Sequence, residues 1–334
     1  MKKVKKLSRN IKVQSNDKLV IENKYGKVHI NTWDKNEVSV TIDIIARAST
    51  DSRADQMLEM ITVDIDEDRA DNVISFITRI NKLSNKNWGN NSGFEINYIV
   101  SMPRLNPLQA KNMYGDLYVA DLNGSADISL SYGSMKVGKL TGESKVRLAY
   151  GAGSNSLAQL KRGTLNVSYS KLTLEESDVL ELTNSYSDID IGKAGTILLS
   201  SRYGSVDIKS ITSLVGSSGY SGFAIGLLSD KIDLKLQYCG GFKIDLIAPT
   251  FTHINLEGNY SSFNLNFNND AAFRFNVNVQ YGNLRVDKDL VKYNVVEKRN
   301  NTNLYEGQFG KSYSGGKVSI ISRYGDIRFS SNGG

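Results

Sequence analysis

The 334 residues are 40% hydrophobic, which excludes a disordered chain and suffices for one large or two ordinary domains. Three prolines and no apolar run of membrane length describe a soluble, continuous body, and a formal charge of +6 implies only mild attraction to polyanions. One cysteine, Cys239, excludes an intrachain disulfide and a cysteine zinc cluster.

Residues 1–17 carry Lys2, Lys3, Lys5, Lys6, Arg9 and Lys12 without interleaved aromatics. This composition reads as a flexible, solvated basic tail and not as a nucleic-acid arm. Leu7, Ile11 and Val13 are separated by polar residues, so the segment lacks the apolar run of a signal peptide.

Residues 18–103 read as an N-terminal cap containing the first coil. Leu19, Ile21, Val28 and Ile30 flank Tyr25-Gly26, and Val38, Val40, Ile42 and Ile44 extend the alternation. Thr50 and Asp51 predict a helix start, and Ala54, Met57, Leu58 and Ile61 share one stripe of a helix across 51–60. Strands are expected at 61–66, 73–80 and 94–102, the last ending at Pro103. The Asn-, Ser- and Gly-rich stretch between Lys82 and Gly93 reads as a loop that offers Trp88 as a candidate contact residue. Such a cap is needed because the end of a repeat array exposes apolar core and unpaired strand edges.

In residues 104–334 one dipeptide recurs. A small residue follows Tyr114, Tyr132, Tyr150, Tyr169, Tyr186, Tyr203, Tyr220, Tyr238, Tyr260, Tyr281 and Tyr324, as it follows Tyr25 in the cap. The steps run from 17 to 22 residues, with a last step of 43 that reads as two periods with one tyrosine lost. A unit this short cannot bury an apolar face alone, so successive copies must stack.

Within each copy, apolar residues stand three and five places after the tyrosine, as Ile189 and Ile191 do. Others stand six and four places before it, as Leu180 and Leu182 do. The two sets have opposite parity, so the inward face survives only if the chain turns at the Tyr-small pair. The small residue is expected to supply the positive φ or a local hydrogen bond. The expected fold is all-β: a parallel β-solenoid of 17–22-residue repeats, right-handed by the crossover rule, with a small N-terminal cap containing one helix. Equivalent tyrosines, about 4.8 Å apart, form a buried structural ladder. Regular recurrence on every copy is what packing demands and a sugar platform does not. Small polar residues two places before the tyrosine (Asn112, Asn184, Ser201, Ser218, Ser322) suggest hydrogen-bonded ladders beside the corner. Residues 294–316 are expected to loop out, and the copy around Tyr324 to close the stack.

The run VIENKYGKVHINTWDKNEVSVTI at 20–42, the helix insertion, and YGDLYVADLNGSADISLSYGSMKVGKL at 114–140 resemble the bacterial β-strand-repeat "putative adhesin" family, related to auto-transporter adhesin head domains. The resemblance spans roughly residues 18–330. It implies an extracytoplasmic setting (periplasm, outer membrane or cell surface), on the assumption that a leader was removed ahead of Met1. It supplies no catalytic residues.

Chemistry-bearing groups are few. Asp188 and Asp190 are outward, with Asp207 one coil above Asp190; three such carboxylates suit a hard cation or an acid–base pair. Lys193 and Lys209 stand close enough to neutralise them, so a mixed-charge solvated face is expected, with no metal and no cofactor. Asn264 and Asn266 flank Leu265 as an uncharged amide surface suited to glycan hydrogen bonding. His29 and His253 have no motif around them. The expected function is a non-enzymatic envelope or surface protein that presents an extended face for adhesion, or for a glycan or surface-protein ligand, without nucleic acid. The alternatives are a polysaccharide lyase or glycoside hydrolase on a β-helix, and a purely structural assembly module.

Overall fold

The computed structural model describes residues 1–81, 92–311 and 315–332; the sequence candidate Trp88 lies outside them. The described chain is almost wholly β, with one α-helix and mostly parallel strand pairing. It divides into two compact units, Met1–Gly163 and Thr164–Gly334.

The first unit begins with β1 (Lys2–Lys12), β2 (Lys18–Lys24), β3 (Val28–Trp33), β4 (Glu37–Arg47) and α1 (Asp51–Glu59). It continues through β5 (Ile61–Asp68), β6 (Val73–Ile80), β7 (Gly93–Pro103), β8 (Leu108–Met113), β9 (Leu117–Val119), β10 (Ala126–Ser131) and β11 (Met135–Ala149); β12 (Asn155–Ser168) contains the unit boundary. Strands that precede a tyrosine pair parallel with one another, as do strands that follow one. Thus Ile21 lies beside Ala110, Ala110 beside Ile128, and Ile128 beside Val146. All four are essentially fully buried, so alternate residues form continuous apolar rows at strand spacing. The pair β6 and β7 lies against β2 and β3 in parallel register and acts as a copy without a tyrosine. In its place, Phe94 meets Tyr25 edge-on at 5.4 Å.

The cap helix forms where its signals stand. Thr50 Oγ1 accepts from the Arg53 amide, and Ala54 and Met57 are buried against Ala46 and Ala48. The basic N-terminus departs from expectation: residues 2–12 are not a free tail but β1, paired antiparallel with β4 along eleven positions. Leu7 and Ile11, four places apart, share one face, and Ile11 is buried. The lysines occupy both faces of this edge strand and are mostly exposed, and charge there blocks further pairing.

The second unit begins with β13 (Lys171–Gln237), an extended run through three tyrosine corners. β14 (Phe242–Ile247), β15 (His253–Asn259), β16 (Phe263–Asn268), β17 (Phe273–Gln280) and β18 (Leu284–Arg285) follow, then β19 (Val291–Arg299), β20 (Thr302–Phe309), β21 (Gly316–Arg323) and β22 (Ile327–Asn332). Two expectations fail here. The segment after Tyr281 is not a loop but an antiparallel hairpin, β19–β20, which also covers β17. Nor does the last copy close the stack: β21 lies between β15 and β17, and β22 between β16 and β18, all in parallel. The 43-residue step therefore conceals a hairpin and a return into the sheet, not a copy that lost its tyrosine.

At the corners the positive φ belongs to tyrosine itself. All twelve Tyr-small tyrosines have φ between 49° and 61°. A left-handed residue interrupts strand alternation, so a ring that parity would bury swings outward; the rungs other than Tyr203 are 42–51% exposed, and Tyr203 is half-buried. Left-handed backbone costs about 1–2 kcal/mol per L-residue. Two interactions offset it. Corner amides reach the neighbouring copy, as Tyr114 N–H does to the Ser131 carbonyl at 2.9 Å, and the Tyr281 amide reaches Asn301 in the hairpin. Each ring also stacks on its neighbours, at 5.0 Å for Tyr25–Tyr114 and 4.8 Å for Tyr132–Tyr150.

The small residue after the tyrosine answers a different demand. A Cβ on Gly115 would lie 1.9 Å from the Gly26 carbonyl oxygen, so glycine is required by close backbone approach. Ser187, Ser221 and Ser261, which take this place in other copies, are buried. Ser187 Oγ donates to the Ser185 carbonyl and accepts from the Ser170 amide, and Cys239 occupies the equivalent position with its amide bonded to Ser261 Oγ. The residue two places before the tyrosine completes the corner. Asn112 Nδ2 reaches the carbonyls of Gly26, Gly115 and Asp116 at 2.9–3.1 Å, and Asn184 Nδ2 reaches the Ser187 carbonyl and Ser201 Oγ.

Candidate functional site

The strands that follow each tyrosine in the second unit present alternate residues outward, at the fourth and sixth places in most copies and at the fifth and seventh after Tyr238. Two rows result: one begins Thr173, Asp190, Asp207, Ala224, Lys243; the other begins Glu175, Gly192, Lys209, Gly226, Asp245. Register links them: Glu175 lies beside Gly192, Lys209 beside Gly226, and Ala224 opposite Lys243. Together they line a groove of about 790 Å³. Gly192 and Gly226 form low points in the floor because they contribute no side chain, while isoleucines and leucines beneath them are buried in the core. Five copies at strand spacing give the groove a length of about 20 Å.

Charge in the groove is mixed and partly neutralised at close range. Lys171 Nζ lies 3.7 Å from Asp190 and Lys243 Nζ 3.2 Å from Asp245. Asp190 is half-buried, whereas Glu175, Asp207 and Lys209 are exposed. Asp188 stands outside the groove and accepts from Ser205 Oγ at 2.7 Å. Asp188, Asp190 and Asp207 are not gathered into a cation site: among the described residues no group of three acidic, histidine or cysteine side chains is placed to hold a metal ion.

The amide candidates belong to the same outward face. Lys243 is opposite Asn264, and Asn264 and Asn266 are opposite Arg328 and Ser330. Asn264 is exposed. Asn266 is committed internally, with Nδ2 donating to the Asp245 carbonyl at 2.8 Å and Oδ1 accepting from Ser330 Oγ. Asp190, Asp207 and Asn264 thus lie along one surface, while Asn266 braces it. Glu175, Lys243 and Asp245 were missed by sequence reading: extending the repeat alignment to the sixth place after each tyrosine would have exposed Glu175, but after Tyr238 the outward pair falls at the fifth and seventh places. The histidines lie elsewhere: His29 stacks on Tyr118 at 4.2 Å, and His253 lies opposite Lys231 and Lys317.

No protein-family model matches the sequence, and no curated protein is significantly similar to it. Solved structures do match. One is a putative adhesin from Parabacteroides merdae, with 12% identity and TM-score 0.36, covering 78% of this chain and 96% of that one. Another is a putative adhesin from Bacteroides fragilis, with 15% identity and TM-score 0.32, covering 78% and 97%. Several of the structural neighbours are named as adhesins. A further one, from Parabacteroides distasonis, is named as a putative lipid binding protein, with 11% identity, TM-score 0.29, and 97% and 96% coverage. Scores this low assign no activity to the chain. No helix among the described residues is long and apolar enough to cross a membrane.

Proposed function

We propose that this chain is a right-handed parallel β-solenoid serving as a non-enzymatic envelope or surface protein, and that the outward face of its second unit binds an extended polar ligand, a glycan chain or a surface-protein segment. The observation that carries this reading is the groove between the Asp190–Lys243 and Glu175–Asp245 rows: a trough within the volume range of ligand sites, with a glycine-lowered floor and charges of both signs. Repeat stacking supplies such a face at little entropic cost, since strand ladders already fix its side-chain positions. The envelope setting rests on the resemblance of residues 20–42 and 114–140 to adhesin-type repeats. The solenoid rests on copy-to-copy parallel register, and its hand on the crossover rule.

The binding test is a panel of soluble polysaccharides and envelope proteins presented to the wild-type chain and to the Asp190→Lys/Asp207→Lys variant. Both sites are outward, so folding is preserved; retention by wild type and loss in the variant is the expected result. Equal retention moves the ligand off this face, and hydrolysis or cleavage of a polymer by the wild type overturns the non-enzymatic reading. Labelling intact and lysed native cells with a membrane-impermeant amine reagent tests location. Modification before lysis is expected.

A further inference from the structure

The tyrosine ladder brings together reactive groups that the groove does not use. From Tyr169 to Tyr260 six successive rings stack with centroids 4.6–5.2 Å apart and interplanar angles of 2–21°. Tyr324 continues the series from Tyr260 at 4.7 Å. Rings related by near-translation place like atoms over like atoms, so the carbon ortho to each hydroxyl faces its counterpart on the next rung. Five of the six rings are 43–51% exposed at their outer edge, which leaves room to tilt and admits an oxidant. The chain holds one cysteine, buried, and so has no internal disulfide to tie copies together.

We propose that this ladder is a site of oxidative cross-linking, in which neighbouring rungs of one chain are joined as o,o′-dityrosine. Each of two adjacent phenols loses one electron and its hydroxyl proton, giving phenoxyl radicals with spin density at the ortho carbons. The two ortho carbons form a carbon–carbon bond. The hydrogen on each then moves to its oxygen, restoring both aromatic rings and both hydroxyls. The pair has given up two electrons and two protons, which one hydrogen peroxide accepts through a peroxidase, becoming two waters. A Tyr260–Tyr324 bond would fasten the inserted C-terminal copy to the copy beneath it.

The test oxidises the dilute full-length chain with a peroxidase and hydrogen peroxide, then maps cross-linked peptides by mass spectrometry. Expected are dityrosine fluorescence, monomeric mobility on a denaturing gel, and peptides joining successive rungs, each lighter by two hydrogens. The Tyr203→Phe variant keeps a ring in the stack but cannot form the radical. It should lose the Tyr186–Tyr203 and Tyr203–Tyr220 products and retain Tyr169–Tyr186 and Tyr238–Tyr260. The proposal is overturned if no dityrosine forms, if links run mainly between chains or through the off-ladder tyrosines Tyr118 and Tyr293, which are 40% and 37% exposed, or if the folded chain gives the same pairs as the chain in denaturant.

Discussion

Tyr324 stacks on Tyr260 at 4.7 Å and 4° although 64 residues separate them, and its other face meets Tyr281 at 4.6 Å and 2°. The last copy of the repeat is therefore an interior layer. Its Phe329 packs near Phe267, Phe273, Phe275 and Phe309, joining strands on both sides of the insertion.

Phe329→Ala should destabilise the second unit by about 3–5 kcal/mol, as expected for an aromatic removed from a core that cannot collapse around the gap. Denaturant unfolding measures it. Hydrogen exchange should then show β17 and β20 exposed first, and an effect below about 1 kcal/mol would contradict the interior placement of this copy.

At the corners, Tyr186→Asn and Tyr186→Val separate stacking from backbone strain. Both lose two ring contacts, about 0.5–1.5 kcal/mol each. Asparagine tolerates the left-handed region, whereas a β-branched side chain is a strained occupant. The valine variant is expected to be less stable than the asparagine one by at least about 1 kcal/mol in chemical denaturation. Equal stabilities would mean that the φ of 52° carries no strain.

Gly115→Ala should cost about 3 kcal/mol or more, since the new methyl meets backbone and not a flexible side chain, at the upper end of overpacking penalties. Gly240→Ala, with nothing within 4 Å of the added carbon, should change stability by no more than about 0.5 kcal/mol. Thermal melts of the two variants side by side decide the point.

Alkaline stability should report on Tyr98. Burial pushes its hydroxyl up to about 12 from an ordinary value near 10, with the bond to Thr78 acting in the opposite direction. Between those values the unfolded chain has released the proton and the folded chain has not, so stability is complete below pH 10 and falls as pH rises towards 12. The loss amounts to roughly 3 kcal/mol for a two-unit shift. Tyr98→Phe should flatten this part of the pH profile; a profile unchanged from wild type would remove Tyr98 as its source.

The parallel pairing of copies was legible because apolar residues at fixed offsets from tyrosine leave one inward face, and the helix was legible from Thr50 and its apolar stripe. The φ assignment was not. Glycine and serine were natural hosts for the turn by propensity, yet Gly115 is demanded by contact with the Gly26 carbonyl, and tyrosine bears the strained dihedral. Nor was β1 legible, because paired lysines conceal a strand whose partner, β4, lies beyond two intervening strands. The return of the last copy escaped for a related reason: periodicity gives the spacing of units along the chain, whereas Tyr260 and Tyr324 are neighbours only in space. On the outward face, Asp190 and Asp207 stood out as acids, but the recess around them depends on Gly192 and Gly226, which carry no charge signal.

The insertion of β21 and β22 also orders events in time. During synthesis at about 5–20 residues per second, β15 to β18 leave the ribosome before the strands that will join them exist. Until β21 and β22 emerge, β15 and β16 keep open edges, and the row carrying Asn264 lacks Arg328 and Ser330 beside it. The second unit therefore completes only after β21 and β22 have been made, and a chain cut before Gly316 lacks the layer that makes β15 to β18 one sheet.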